Sequence, residues 1–123
     1  MNTTKPKRLA VICLAAGKSQ LPVITKAKFL GYTIVAIDQN KDAPGFEHAD
    51  YKIYQSTYDA DQIIKELDKL ANKFKWVGVI NRSSGPPVIS AAKICKHLSL
   101  PGVPVASAES LVNKDQMRSA CLK

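Results

Sequence analysis

The N-terminal third of the chain holds two short apolar runs separated by a helical pattern, and this order constrains the fold more than any other feature. The runs are R-L-A-V-I-C-L at 8–14 and T-I-V-A-I-D at 33–38. Nearly continuous apolar runs of this length are typical of strands buried on both faces, as in a parallel sheet. The residues between them place four apolar side chains at helical spacing: Leu21, Ile24, Ala27 and Leu30. The pattern predicts a strand–helix–strand unit, with Gly31 as the helix stop.

The rest of the chain continues the alternation of strands and helices. It predicts strands at 51–54 and 76–80, helices at 59–74 and 88–98, a short strand around Val103, a helical turn from Ser107 and a last helix from 113. This order predicts an α/β, Rossmann-like three-layer domain with a mostly parallel sheet of about five strands. We expect residues 1–7 to form a basic N-terminal arm and residues 8–106 to form the domain. Residues 107–123 follow the domain, with the helical turn and the last helix.

Composition narrows the class of protein. The 123 residues fit one domain, and no apolar stretch approaches the ~20 residues that span a bilayer, so we expect a cytoplasmic protein without a membrane partner. The net charge of +8 raises nucleic acid as a partner. The basic residues are nevertheless spread along the chain, the helical lysines are interleaved with acids, and there is no aromatic stacking motif. These features favour solvated faces over nucleic-acid binding.

The cysteines and the other reactive residue types predict neither a metal site nor a catalytic residue. Three cysteines lie far apart, with no C-x-x-C pair and no Cys/His cluster. We expect Cys13 in its strand and Cys95 on its helix to pack as small apolar side chains. No nucleophile–base pair is evident, and the carboxylates form no catalytic pairing.

A turn that looks like a nucleotide-binding loop, A-A-G-K-S-Q, follows the first strand. A triphosphate-binding loop needs the pattern G-x-x-x-x-G-K-[ST]. Because the first glycine position holds Ile12, which lies inside the strand, the sequence excludes such a loop. The dinucleotide fingerprint fits only partly, because its third glycine position holds Gln20. Asp38 ends the second strand, where a ribose-binding acid would stand. We expect Gly17 to serve the tight turn, and Lys18 either to meet an anion or to stay solvated.

A second candidate edge follows the fourth strand, in N-R-S-S-G-P-P at 81–87. In one interpretation this is a strand-to-helix turn, capped by Ser83 or Ser84. In the other, the guanidinium of Arg82, next to these hydroxyls, binds a carboxylate or phosphate. Because the carboxyl ends of parallel strands share one edge of a sheet, this turn, Asp38 and the first turn are expected at the same place.

Taken together, the motifs resemble one family along almost the whole chain. They are L-A-A-G-K-S-Q-L-P (14–22), G-Y-T-I-V-A-I-D-Q-N (31–40), A-P-G-F-E-H-A-D (43–50), S-L-P-G-V-P-V-A-S-A-E-S (99–110) and N-K-D-Q-M-R (113–118). Their order and spacing resemble the N-terminal, pre-ATP-grasp part of ATP-grasp ligases, most of all the carbamoyl-phosphate synthase large-subunit and biotin carboxylase branch.

The resemblance implies an ATP- and Mg²⁺-dependent ligase that activates a carboxylate as an acyl phosphate, which an amine or another nucleophile then attacks. This segment would form the substrate side of the cleft, with Gly17, Lys18, Gln20, Asp38, Arg82 and Ser83 as substrate-binding candidates. The family's D-K-x-x-M-R motif implies that Lys114 contacts ATP phosphate, with Asn113 in place of the usual acid.

The resemblance also implies that the partners of this segment are the ATP-grasp domains of a longer chain. The 123 residues alone would then be inactive and would bind no cofactor tightly. Two alternatives from other classes stay open: a free-standing nucleotide- or dinucleotide-binding module, and a non-catalytic interaction domain.

Overall fold

The computed structural model describes residues 7–82, 85–102 and 107–108. Its strands are β1 (Arg8–Leu14), β2 (Thr33–Ile37), β3 (Tyr51–Ile53) and β4 (Phe74–Asn81). Its α-helices are α1 (Leu21–Phe29), α2 (Ala60–Lys69) and α3 (Pro86–His97). Two 3₁₀ turns, Lys18–Gln20 and Pro44–His48, precede α1 and link β2 to β3. No helix in these ranges is both long enough and apolar enough to cross a bilayer.

The four strands form one parallel sheet in the order β3-β2-β1-β4. The chain moves from β1 to β2 to β3 in one direction and then returns through α2 to place β4 on the other side of β1. This reversal creates a switch point between the carboxyl ends of β1 and β4, where open α/β sheets bind ligands. The predicted α/β, Rossmann-like architecture is confirmed.

Helices cover both faces of the sheet, as the predicted three layers require. On one face, α2 and α3 pack on β1 and β2 through a core that includes Ile63, Leu67 and Ile94. On the other face, α1 and the second 3₁₀ turn pack on the same two strands through Ile24, Ala27, Ala43 and Phe46. Both cores are almost entirely aliphatic, and burial of this apolar surface is what holds the layers together.

Two predicted boundaries need correction. The helix predicted at 59–74 ends at Lys69, because the amides of Leu70 and Ala71 bond three residues back and tighten the last turn. Phe74 therefore begins β4, where it lies opposite Arg8. The fifth strand around Val103 and the helix from 113 fall outside the described ranges. Within those ranges the sheet has four strands.

Candidate functional site

The turn after β1 carries its conformational strain at an alanine, not at the predicted glycine. Ala15 has φ +81°, in the left-handed region that residues other than glycine rarely adopt. Its N–H donates to the Ile37 carbonyl at 2.7 Å. Gly17 has φ −70°, which any residue adopts, and a Cβ placed there would meet nothing within 4 Å. The expectation that Gly17 serves the tight turn is wrong. The bond from Ala15 to the end of β2 holds the turn instead.

Asp38 anchors three chain segments at the carboxyl edge of the sheet. Its Oδ2 accepts from the buried N–H of Ala16 at 2.9 Å, and its Oδ1 accepts from the N–H of Asn40, also at 2.9 Å. Its own N–H donates to the carbonyl of Ile53, and its carbonyl accepts from Gln55. Both carboxylate oxygens are thus engaged by backbone amides. Asp38 braces the first turn, which is a different role from the ribose-binding acid of a dinucleotide site.

Gly45 is the glycine on which this edge depends. Its N–H donates to the Ala16 carbonyl at 2.6 Å. A Cβ at this position would lie 2.6 Å from the same oxygen and 2.8 Å from Cδ1 of Ile24. Only a residue without a side chain allows the β2–β3 connection to approach the first turn so closely.

Arg82 spans the switch point. It follows β4 directly, and its Nη1 lies 3.4 Å from the carbonyl oxygen of Ser19, in the turn after β1. The sheet order therefore brings Arg82 and the exposed Lys18 to the same crevice from opposite strands. Neither side chain forms an ion pair with a carboxylate in the described part of the chain. Two cations without carboxylate partners at a switch point can bind an anionic group.

The backbone of the first turn suits a small anion better than a polyphosphate. The N–H of Gln20 bonds the Gly17 carbonyl, the N–H of Leu21 bonds the Lys18 carbonyl, and Pro22 has no N–H. With these donors engaged or missing, the turn offers a ligand fewer amides than a phosphate loop presents.

Of the three remaining predicted site residues, the structure describes Gln20, whose side chain is buried. Ser83 and Lys114 lie outside the described residues. Among the residues that are described, no group of His, Cys, Asp or Glu could hold a metal ion. Cys13 and Cys95 are free and buried, as predicted, and burial raises the pKa of both thiols.

Comparisons with known proteins agree with this fold. No family model matches the chain. An alanine–anticapsin ligase from Bacillus amyloliquefaciens is 34% identical over 96 residues, which cover 72% of this chain and 20% of that protein. Among solved structures, an L-amino acid ligase from Bacillus licheniformis matches with a TM-score of 0.62 and 25% identity, over 87% of this chain and 27% of its own.

Two further structures come from synthetases. Phosphoribosylglycinamide synthetase from Anaerococcus prevotii matches with a TM-score of 0.67 and 24% identity, over 78% of this chain and 24% of its own, and this likeness shows the fold alone. An N5-carboxyaminoimidazole ribonucleotide synthetase, solved as its ADP complex, matches with a TM-score of 0.57 and 27% identity, over 78% of this chain and 24% of its own. The chain thus spans about a fifth to a quarter of the length of these proteins.

In sequence and in fold, the chain resembles the N-terminal part of ATP-grasp ligases, as its motifs predicted. The matched proteins are not specific to the carbamoyl-phosphate synthase and biotin carboxylase branch, so that finer placement stays a prediction.

Proposed function

We infer that the chain is the substrate-side domain of an ATP-dependent ligase that joins a carboxylate to an amine. The observation that carries the inference is the contact at the switch point, where Arg82 reaches the turn that carries Lys18 and neither cation has a carboxylate partner among the described residues. The two most relevant relatives are named as ligases of alanine and of L-amino acids. Their names support amino acids as the substrate class.

In this proposal the crevice holds a carboxylate group of the substrate. The guanidinium of Arg82 supplies paired N–H donors for a carboxylate, and Lys18 adds a charge and its backbone amide. The reaction itself transfers the terminal phosphoryl group of ATP to a carboxylate oxygen, releasing ADP. The amine nitrogen then attacks the acyl carbon, and phosphate leaves with the carbon–oxygen bond electrons.

ATP and Mg²⁺ would be held outside the described ranges. We expect Lys114 to contact ATP phosphate, residues 1–7 to form an arm, residues 8–106 to form the domain and residues 107–123 to begin the ATP-grasp region. The ADP complex of one structural relative supports ATP use by this class. The described residues include no group of His, Cys, Asp or Glu that could hold the metal ion. We expect the protein to act in the cytoplasm.

The two alternative functions receive less support. A free-standing dinucleotide module needs a ribose-binding acid and an amide cradle, whereas both oxygens of Asp38 are engaged by amides and Pro22 removes one donor. A non-catalytic interaction domain remains consistent with the fold. The natural reading frame distinguishes it, because the ligase proposal requires the frame to continue past Lys123.

An NMR titration of the 123-residue chain tests the substrate-side role. We expect acetate and L-alanine to shift the amide signals of Lys18 and Ser19, and Arg82→Ala to abolish the shifts. Lys96→Ala, on α3, is the matched control and should leave them unchanged. Calorimetry should show weak or absent ATP binding, and the chain alone should release no phosphate from ATP. Tight ATP binding, or shifts that persist in Arg82→Ala, would contradict the proposal.

A further inference from the structure

An apolar groove of about 530 Å³ runs between α1 and β4, on the sheet face opposite α2 and α3. Its α1 wall has the spacing i, i+3, i+4, i+7, with the side chains of Val23, Lys26, Ala27 and Leu30. Its floor is the segment 77–80 of β4. The α1 wall and the β4 floor are each roughly 10 Å long, from the rise per residue of a helix and of a strand. This length matches about two turns of a helix, so the groove suits the apolar face of a helical segment.

The groove continues into an exposed apolar surface. Leu30 is 60% exposed, and Val77, bulged out of the β1–β4 ladder, is 36% exposed. Leu9, on the same face of β1 as Val11, is 46% exposed although β1 is an inner strand of the sheet. A contiguous apolar surface beside a groove marks an interaction site more often than an isolated exposed side chain does.

The rim of the groove is basic. Lys26 lines it, and Lys75 lies opposite Leu9 in the sheet, on the α1 face, because its neighbours Phe74 and Trp76 pack on the other core. Neither lysine has a carboxylate partner among the described residues. Every acid that the structure describes lies between Asp38 and Asp68 in the chain. β1, α1, β4 and α3 therefore carry basic residues and no acids.

This charge separation decides between possible occupants. A second copy of the chain would place one basic rim against another, at a cost from like charges. Residues 109–123, which follow the described ranges, carry three basic and two acidic side chains, so the net charge of this segment is positive and does not complement the rim. Nucleic acid would complement the charge and leave the aliphatic floor without a partner.

We propose that the α1–β4 groove binds an amphipathic helical segment of a protein partner, with an apolar stripe on the groove floor and acidic side chains facing Lys26 and Lys75. The site is separate from the switch-point crevice, because it is formed by the body of α1 and the middle of β4. The proposal therefore stands whether or not the crevice binds a carboxylate.

Two synthetic peptides, each about four helical turns long, test the proposal. Both carry leucines at i, i+3, i+4 and i+7, and the remaining positions are glutamates in one peptide and lysines in the other. We expect the glutamate peptide to bind the 123-residue chain at least roughly tenfold more tightly than the lysine peptide, with an affinity that falls as salt rises. NMR shifts should map to α1 and β4.

Neighbouring variants make the test specific. Leu30→Asp should weaken binding of the glutamate peptide roughly tenfold, whereas Tyr58→Asp, a 67% exposed position before α2 that does not line the groove, should leave it unchanged. Circular dichroism of both variants checks that they are folded. The proposal is overturned if the two peptides bind equally or not at all. It is also overturned if Leu30→Asp instead abolishes self-association in sedimentation equilibrium, or removes binding to anionic lipid vesicles in the absence of peptide.

Discussion

Replacing Gly45 by Ala should destabilise the protein, whereas the same change at Gly17 should not. At Gly45 the new Cβ would lie 2.6 Å from the Ala16 carbonyl oxygen, 2.8 Å from Cδ1 of Ile24 and 3.0 Å from Cα of Ala16. Two of these atoms belong to the backbone, so rotation of a side chain cannot relieve the overlap. Overpacking of this kind costs about 1–3 kcal/mol. It also stretches the bond from the Gly45 N–H to the same oxygen.

Gly17 provides the matched control. Its φ of −70° is open to alanine, and no atom lies within 4 Å of the added Cβ. Alanine there should be neutral or stabilise the fold by about 0.4–1 kcal/mol, because it restricts the unfolded chain. Urea unfolding, followed by the fluorescence of the single tryptophan, Trp76, measures both variants. A loss of 2 kcal/mol corresponds to a fall in Tm of about 8 °C.

The outcome that refutes this reasoning is a reversal of the two effects. If Gly17→Ala unfolds at lower urea concentration than Gly45→Ala, the close approach at Gly45 does not limit the fold. The glycine after β1 would then be the required one, as the sequence pattern suggested. Equal small effects would show that the β2–β3 connection moves away from the first turn at little cost.

Three further variants test the parts of this edge and the core. Asp38→Ala leaves the amides of Ala16 and Asn40 without acceptors and should cost about 1–3 kcal/mol in urea unfolding; a smaller loss would show that water replaces the carboxylate at both amides. Asp59→Ala removes the side-chain cap on the Gln62 N–H of α2 and should lower the free energy of unfolding by about 0.5–2 kcal/mol. Asp61→Ala should lower it less, and equal losses would show that the charge near the helix N-terminus alone causes the effect. Burial raises the pKa of Cys13 from 9.0 to about 12, so above pH 9 the folded chain keeps a proton that the unfolded chain loses. The free energy of unfolding therefore falls by about 1.4 kcal/mol per pH unit between pH 9 and pH 12, and the thiol gives it no pH dependence below pH 9. Cys13→Ala should flatten the pH dependence of stability in that window, and an unchanged slope would contradict the assignment.

The periodicity of the sequence predicted the elements because each depends on residues close together in the chain. The apolar runs at 8–14 and 33–38 are strands because every side chain in them can be buried between two layers. The error at the end of α2 has a tertiary cause. Residues 70–74 continue the apolar spacing of a helix. In the structure Phe74 is instead the first residue of β4, where it pairs with Arg8 and its ring packs in the core.

The candidate site was only partly predictable. Strand ends can be predicted from the sequence, and this prediction puts Lys18, Asp38 and Arg82 at one edge of the sheet. The roles of these residues cannot be predicted in the same way. The sequence pattern of a carboxylate at a strand end is the same whether the carboxylate binds a ligand or two backbone amides. Only the structure shows that the amides of Ala16 and Asn40 donate to Asp38.

By itself, the sequence determined the type and order of the elements, the parallel sheet and the resemblance to ATP-grasp ligases, because these follow from local periodicity and from motifs in order. The tertiary structure alone decided which residues meet. Arg82 reaches the carbonyl of Ser19 across 63 positions of chain, and the close contact of Gly45 with the first turn spans the whole of α1 and β2. Such contacts depend on strand order and on the direction of each crossover, which no short window of sequence contains.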